Sequence, residues 1–291
     1  MSNVAIFHLG SIRLPMEKNR LLLLFAGVNL AFTGVDVALA HAINSFIPLY
    51  EWIPILYAPC GAISCLIVAM QERPGSISAL VHIALMLLGV TVGVLGTAFH
   101  GMAVLNPGGH LSWSWVVFGS PILAPLAFSG ISLIGLYGIT REPGASGMLD
   151  VPGLGVFQAP ISRDKHFLWL VGLGFAASAI TSIIDHAQYG YNFYKLIAIA
   201  FGVFATTVMF WAATTKQWKR GDELVYFWTM IAAVAVGLLG FGFHLSADLA
   251  GTGQISLERI LSFAPIFAPL LYCDLGVLGL LVVAEEGEGK S

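Results

Sequence analysis

Charge is what this sequence has least of. Asp, Glu, Lys and Arg make up 10% of its 291 residues, whereas hydrophobic residues make up 57%. A soluble domain carries about 25% charged residues. So few charges cannot cover a water-facing surface, and a lipid bilayer is the expected solvent. The net charge of −3 is small and argues against nucleic acid as a partner. Cysteine is scarce as well. Cys60, Cys65 and Cys273 lie in apolar runs, which predicts buried thiols rather than a disulfide framework. Residues 1–20 lack the apolar stretch of a signal peptide, so the first span is expected to act as its own uncleaved insertion signal. No stretch reads as a soluble catalytic domain, and direct use of a nucleotide is not expected.

What remains is hydrophobic and periodic. A spanning helix needs about 20 mostly apolar residues. Such runs lie near 21–43, 52–71, 78–104, 114–139, 167–188, 193–214, 223–247 and 260–284. The breaks carry turn chemistry: Glu72-Arg73-Pro74-Gly75, Asn106-Pro107-Gly108-Gly109, and the stretch from Arg141 to Lys165. The expected fold is an all-α polytopic membrane protein of about eight transmembrane helices. Residues 1–20 form a cytoplasmic segment, 21–140 one four-helix unit, 141–166 a cytoplasmic linker, 167–285 a second four-helix unit and 286–291 a tail. Basic residues set the orientation. Arg13, Lys18, Arg20, Arg73, Arg141, Arg163, Lys165, Lys216, Lys219, Arg220 and Lys290 fall on one side, against Lys195 and Arg259 on the other. The positive-inside rule then puts both termini in the cytoplasm of a cytoplasmic (inner) membrane.

The two halves match each other. Gly93, Gly96, Phe99 and His100 correspond to Gly237, Gly240, Phe243 and His244, and Pro121 and Pro125 to Pro265 and Pro269, all 144 residues apart. Gly27, Ala31 and His41 correspond to Gly172, Ala176 and His186 at an offset of 145. A long shared offset with many identities marks a duplication. Units of four spans share one orientation, so the expected arrangement is two tandem, parallel-oriented repeats about an axis along the membrane normal.

His41, His100, His186 and His244 close the first, third, fifth and seventh spans. Arg20 to His41, Lys165 to His186 and Arg220 to His244 are separated by 21, 21 and 24 residues. At 1.5 Å per residue these are roughly 30–36 Å, about one hydrocarbon thickness. All four rings therefore belong to one layer near the outer face. In an up-down bundle the first and third helices are diagonal, so His41 with His100, and His186 with His244, face each other across a core. That is the geometry of a bis-histidine haem site. Small neighbours, Gly34, Gly93, Gly96, Ala98, Gly237, Gly240 and Gly242, would give a cofactor room, although small residues also let membrane helices pack closely. Asp36, Asp185 and Asp248 lie near the rings as second partners that would orient them. His110, in the outer loop, is a further ligand candidate or a solvated histidine. Asp274 stands near the middle of the last span, where a charge is costly. His8, His82 and His166 fall on the cytoplasmic side and read as interfacial.

The pattern resembles the haem A synthase type of protein, with two four-helix bundles and one diagonal histidine pair each. That family carries its ligands on even-numbered helices and has glutamate-arginine motifs that this sequence lacks, so no catalytic residue carries over. Respiratory cytochrome b proteins resemble it only in the diagonal pairing. Three functions follow. The first is a dihaem b-type redox protein, a membrane oxidoreductase passing electrons between quinol and an outer-side redox protein. The second is a non-haem Cu, Zn or Fe membrane enzyme using the same histidines and aspartates. The third is a transporter or a membrane subunit of a larger complex, with helices broken at Pro121/Pro125 and Pro265/Pro269 and with Asp274 as a buried titratable group.

Overall fold

The computed structural model describes residues 3–6, 11–13, 16–42, 45–143, 147–250, 253–254 and 265–286. Arg259, Lys290, His8 and residues 260–264 lie outside them. The described chain is mostly helical. Its helices are α1 (Lys18–Ala42), α2 (Trp52–Ala69), α3 (Ser76–Ala103), α4 (Trp113–Phe118), α5 (Leu126–Gly138), α6 (Arg163–Ala187), α7 (Phe193–Thr214), α8 (Arg220–Leu249) and α9 (Leu270–Val282). Among the described residues, six helices are long and apolar enough to cross a membrane: α1, α2 with its leading 3-10 turn, α3, α6, α7 and α8. Their outer faces are apolar. Val28, Leu56, Val94 and Leu238 are all more than half exposed, which suits lipid tails and not water. Cys60 lies on such a face and is exposed, contrary to expectation, while Cys65 is buried; all three cysteines are free thiols.

Local chemistry sets the helix ends. The Asn192 side chain caps α7 by accepting from the Lys195 amide at 3.0 Å. At the start of α8 the Asp222 carboxylate accepts from the Lys219 amide at 2.8 Å.

The continuous helices expected over 114–139 and 260–284 are not found in the described chain. Turns occupy the stretch between α4 and α5 and the stretch before α9, and both α5 and α9 have 13 residues. The cause is proline. Pro125 and Pro269 stand at the N-cap positions of α5 and α9, where a residue lacking an N–H is tolerated. The linker expected over 141–166 has structure of its own. It contains a hairpin, with β3 (Met148–Val151) antiparallel to β4 (Gly155–Gln158), turned through Gly153 at φ +83°. Another small sheet joins β1 (Asn3–Ile6), β2 (Ser11–Arg13) and β5 (Ala284–Glu286) in the order β2-β1-β5. Strands of three and four residues are too short to leave a period-2 signature.

The chain forms two compact units, Met1–Phe167 with Ala284–Ser291, and Leu168–Val283. In the first, α1 packs on α2 and α5, and α3 packs on the same two helices. Thus α1 and α3 are diagonal. In the second, α8 packs on α7 and α9. Gly172 of α6 lies against Phe210 of α7, and Gly174 lies against Leu275 of α9, so α6 and α8 are diagonal as well.

Candidate functional site

Each unit brings one pair of histidines together. His41 on α1 and His100 on α3 have ring centroids 6.3 Å apart, with planes at 56°. His186 on α6 and His244 on α8 are also 6.3 Å apart, at 74°. All four rings are half-buried; His41, His100 and His186 sit in the last turns of their helices, and His244 lies just before the last turn of α8. A metal–nitrogen bond is about 2.0–2.1 Å, and a ring nitrogen lies about 1.1 Å from its centroid. Two imidazoles on opposite sides of one metal therefore stand roughly 6.2–6.4 Å apart. Both observed separations fall in that range.

The main chain orients the rings. The Pro121 carbonyl accepts from His100 Nδ1 at 2.9 Å, and the Pro265 carbonyl accepts from His244 Nδ1 at 2.9 Å. These carbonyls are available because the residues four positions on, Pro125 and Pro269, have no N–H to give. Each carbonyl keeps only a tighter turn bond, from Ala124 at 3.3 Å and from Ala268 at 3.2 Å. The Glu51 carbonyl accepts from His41 Nδ1 at 3.2 Å. A carbonyl can only accept, so Nδ1 carries the proton in all three and Nε2 keeps its lone pair for a metal. His186 Nδ1 is buried against its own helix, near the Ser182 carbonyl but short of a well-formed hydrogen bond.

Carbonyls thus take the part expected of Asp36, Asp185 and Asp248. Asp36 is exposed on α1, and Asp185 is half-buried on α6. Asp248 is fully buried one turn beyond His244, and among the described residues neither of its oxygens has a hydrogen-bond partner. Glu51, next to His41, is buried, and among the described residues its Oε2 is equally unsatisfied. His110 is exposed in its loop, where its amide donates to Asn106 Oδ1 at 2.9 Å. Asp274 is half-buried on α9.

The expected room beside the rings is largely spent on packing. A Cβ at Gly34 would come within 2.5 Å of Ala58 Cβ. One at Gly93 would meet the Ser129 amide nitrogen at 2.7 Å, and one at Gly237 the Cys273 amide nitrogen at 2.8 Å. Gly96 and Gly240 abut Pro125 and Pro269, each at 2.7 Å. Among the described residues, only Gly242 of these glycines has no neighbour pressing on it.

His82 also departs from expectation. It is fully buried in α3, not interfacial. Its Nε2 donates to the Gly135 carbonyl at 3.0 Å, and its Nδ1 accepts from Ser64 Oγ at 2.9 Å. The other unit has Tyr226 at that place, donating to the Gly279 carbonyl at 2.8 Å. Similar exchanges recur. Ser129 Oγ donates to Val90 where Cys273 Sγ donates to Val234. Tyr50 packs on Phe99 at 4.6 Å where Tyr194 packs on Phe243 at 5.3 Å. His166 is half-buried and stacks on Tyr137 at 5.4 Å.

Among the described residues, no group of three or more His, Cys, Asp or Glu converges to hold a metal ion. Each site offers two imidazoles. No family model, curated protein or solved structure matches the chain.

Proposed function

We propose that the chain is a dihaem b-type redox protein of the cytoplasmic membrane, built from two tandem four-helix repeats. His41 and His100 would hold one haem, and His186 and His244 the other. The observation that carries this reading is the equal 6.3 Å separation of both pairs, which suits two imidazoles on opposite sides of one iron. The carbonyls on His100 and His244 support it, because they leave Nε2 free to ligate. The matched contacts in the two units support a duplication. Counting α4 with α5, and α9 with the apolar stretch before it, gives eight crossings and both termini in the cytoplasm. Haem held this way supplies one-electron transfer. The chain would pass electrons from quinol to an outer-side redox protein, with Glu51 and Asp248 beside the pairs as acceptors of the released protons.

One observation favours a smaller occupant. The glycines beside the rings pack against neighbouring helices, which suits a single two-coordinate ion such as Cu(I) better than a porphyrin. A visible spectrum of the purified protein separates the two. A Soret band supports haem; copper without a Soret band supports the ion; neither, with the histidines intact, defeats both.

A further inference from the structure

Unit 1 has a second polar site, at the end opposite its histidines. The start of α1 and the ends of α2 and α5 surround a cavity of about 390 Å³, within the range of small-ligand clefts. Leu23, Val68 and Ile139 give it a buried apolar floor. Arg20, Arg73 and Arg141 line it. Glu17, Glu72 and Asp150 line it too, and all three are exposed.

The arginines are not spent on the protein. Among the described residues none of them makes an ion pair. Arg20 Nε is buried with no hydrogen-bond partner. Arg141 is fixed in place by two main-chain bonds with Asp150, at 2.9 and 2.8 Å, and its guanidinium donates only to the Glu72 carbonyl, at 3.2 Å. Arg20 is half-buried, and a guanidinium taken out of water needs an anion or acceptors; Arg73 and Arg141 are exposed, and the planar fork of all three matches phosphate. Yet three carboxylates share the lining, so the formal charges balance. A purely anionic guest would leave them uncompensated. A guest with one anionic and one cationic group satisfies both sets.

We propose that this cavity holds the phosphoethanolamine headgroup of a zwitterionic phospholipid. Its phosphate sits among Arg20, Arg73 and Arg141, and its ammonium faces Glu17, Glu72 and Asp150. Basic pockets between membrane helices take lipid headgroups elsewhere; the carboxylates set the preference here. The repeat offsets carry the three arginines to Lys165, Gln217 and Glu285, so the site exists once per chain. It is independent of the redox reading.

Native mass spectrometry of the full chain in detergent tests it, with phosphatidylethanolamine, phosphatidylglycerol or soluble phosphoethanolamine added separately. The expected result is one phosphatidylethanolamine retained per chain, at least tenfold more tightly than phosphatidylglycerol. Arg20→Gln/Arg141→Gln should weaken retention tenfold or more, and Lys216→Gln/Lys219→Gln should leave it unchanged. Arginine-dependent binding of soluble phosphoethanolamine alone would support the headgroup chemistry and make its source a soluble metabolite. Equal or better retention of phosphatidylglycerol, or retention indifferent to the arginines, would overturn the proposal. If the double variant does not fold, Arg20→Lys keeps the charge and removes the fork, and unchanged retention in it overturns the proposal equally.

Discussion

His82 and Gly135 are joined across the core of unit 1 by a 3.0 Å hydrogen bond from Nε2 to the carbonyl. The ring also takes the Ser64 hydroxyl at 2.9 Å, so both of its nitrogens are satisfied. Tyr226 reaches the Gly279 carbonyl with one hydroxyl at 2.8 Å. His82→Ala should cost about 2–4 kcal/mol, from the cavity and from the unpaired carbonyl and hydroxyl. The pair His82→Tyr with Ser64→Ala, which installs the other unit's tyrosine and removes the hydroxyl left unpaired, should recover most of that. Thermal unfolding in detergent measures both. Equal losses in the two variants would contradict the equivalence of His82 and Tyr226.

The glycines give a graded prediction. A Cβ at Gly93 or Gly237 would press on main-chain atoms of α5 or α9, at 2.7 and 2.8 Å, and main chain cannot yield as a side chain can. Gly93→Ala and Gly237→Ala should each destabilise by about 1–3 kcal/mol. Among the described residues Gly101 and Gly242 meet nothing within 4 Å, so alanine there should be neutral or stabilise by up to about 1 kcal/mol, through helix propensity. Unfolding midpoints of the four variants check the order.

Pro125 and Pro269 act on the histidines at one remove. Pro125→Ala returns an N–H that competes with His100 for the Pro121 carbonyl, and Pro269→Ala does the same to His244. Losing an orienting partner costs about 10–100-fold in metal affinity. Each variant should therefore lose affinity at one site while its helix content is kept, as read by metal titration and circular dichroism. Unchanged affinity would show that the carbonyls do not set the ring tautomer.

Asp248 is fully buried, and among the described residues both of its carboxylate oxygens are unpartnered. An unmet buried polar group costs about 1–3 kcal/mol, more if charged, so Asp248→Asn should raise the unfolding midpoint. If the carboxylate accepts protons from quinol, the same variant should slow quinol oxidation. A fall in stability would contradict the unpartnered state.

Much of the fold is legible in the sequence, because a bilayer imposes long apolar runs and six of them form long helices. The histidines are legible for a related reason. Four histidines at matching places in the two halves of the sequence stand out in an apolar chain, and the structure brings them together as the two couples their spacing suggests. The parts that are not legible depend on what lies opposite a residue. His82 reads as interfacial because nothing in its own segment reveals Ser64 and the Gly135 carbonyl facing it. The glycines read as room because the chain does not say which neighbour presses on them. The Pro-x-x-x-Pro motif is visible as a helix breaker, but its freed carbonyl has meaning only beside a histidine 21 residues away. The cavity arginines come from three separate segments, and counting them by side gives orientation without showing that they converge.

The most direct measurement is the ratio of bound iron or copper to protein in the purified chain. Two metals per chain are predicted, one in His100→Ala, one in His244→Ala and none in the double variant, with all variants folded. A wild-type chain that binds no metal, or a double variant that keeps its full complement, would contradict the assignment of the two histidine pairs as metal sites.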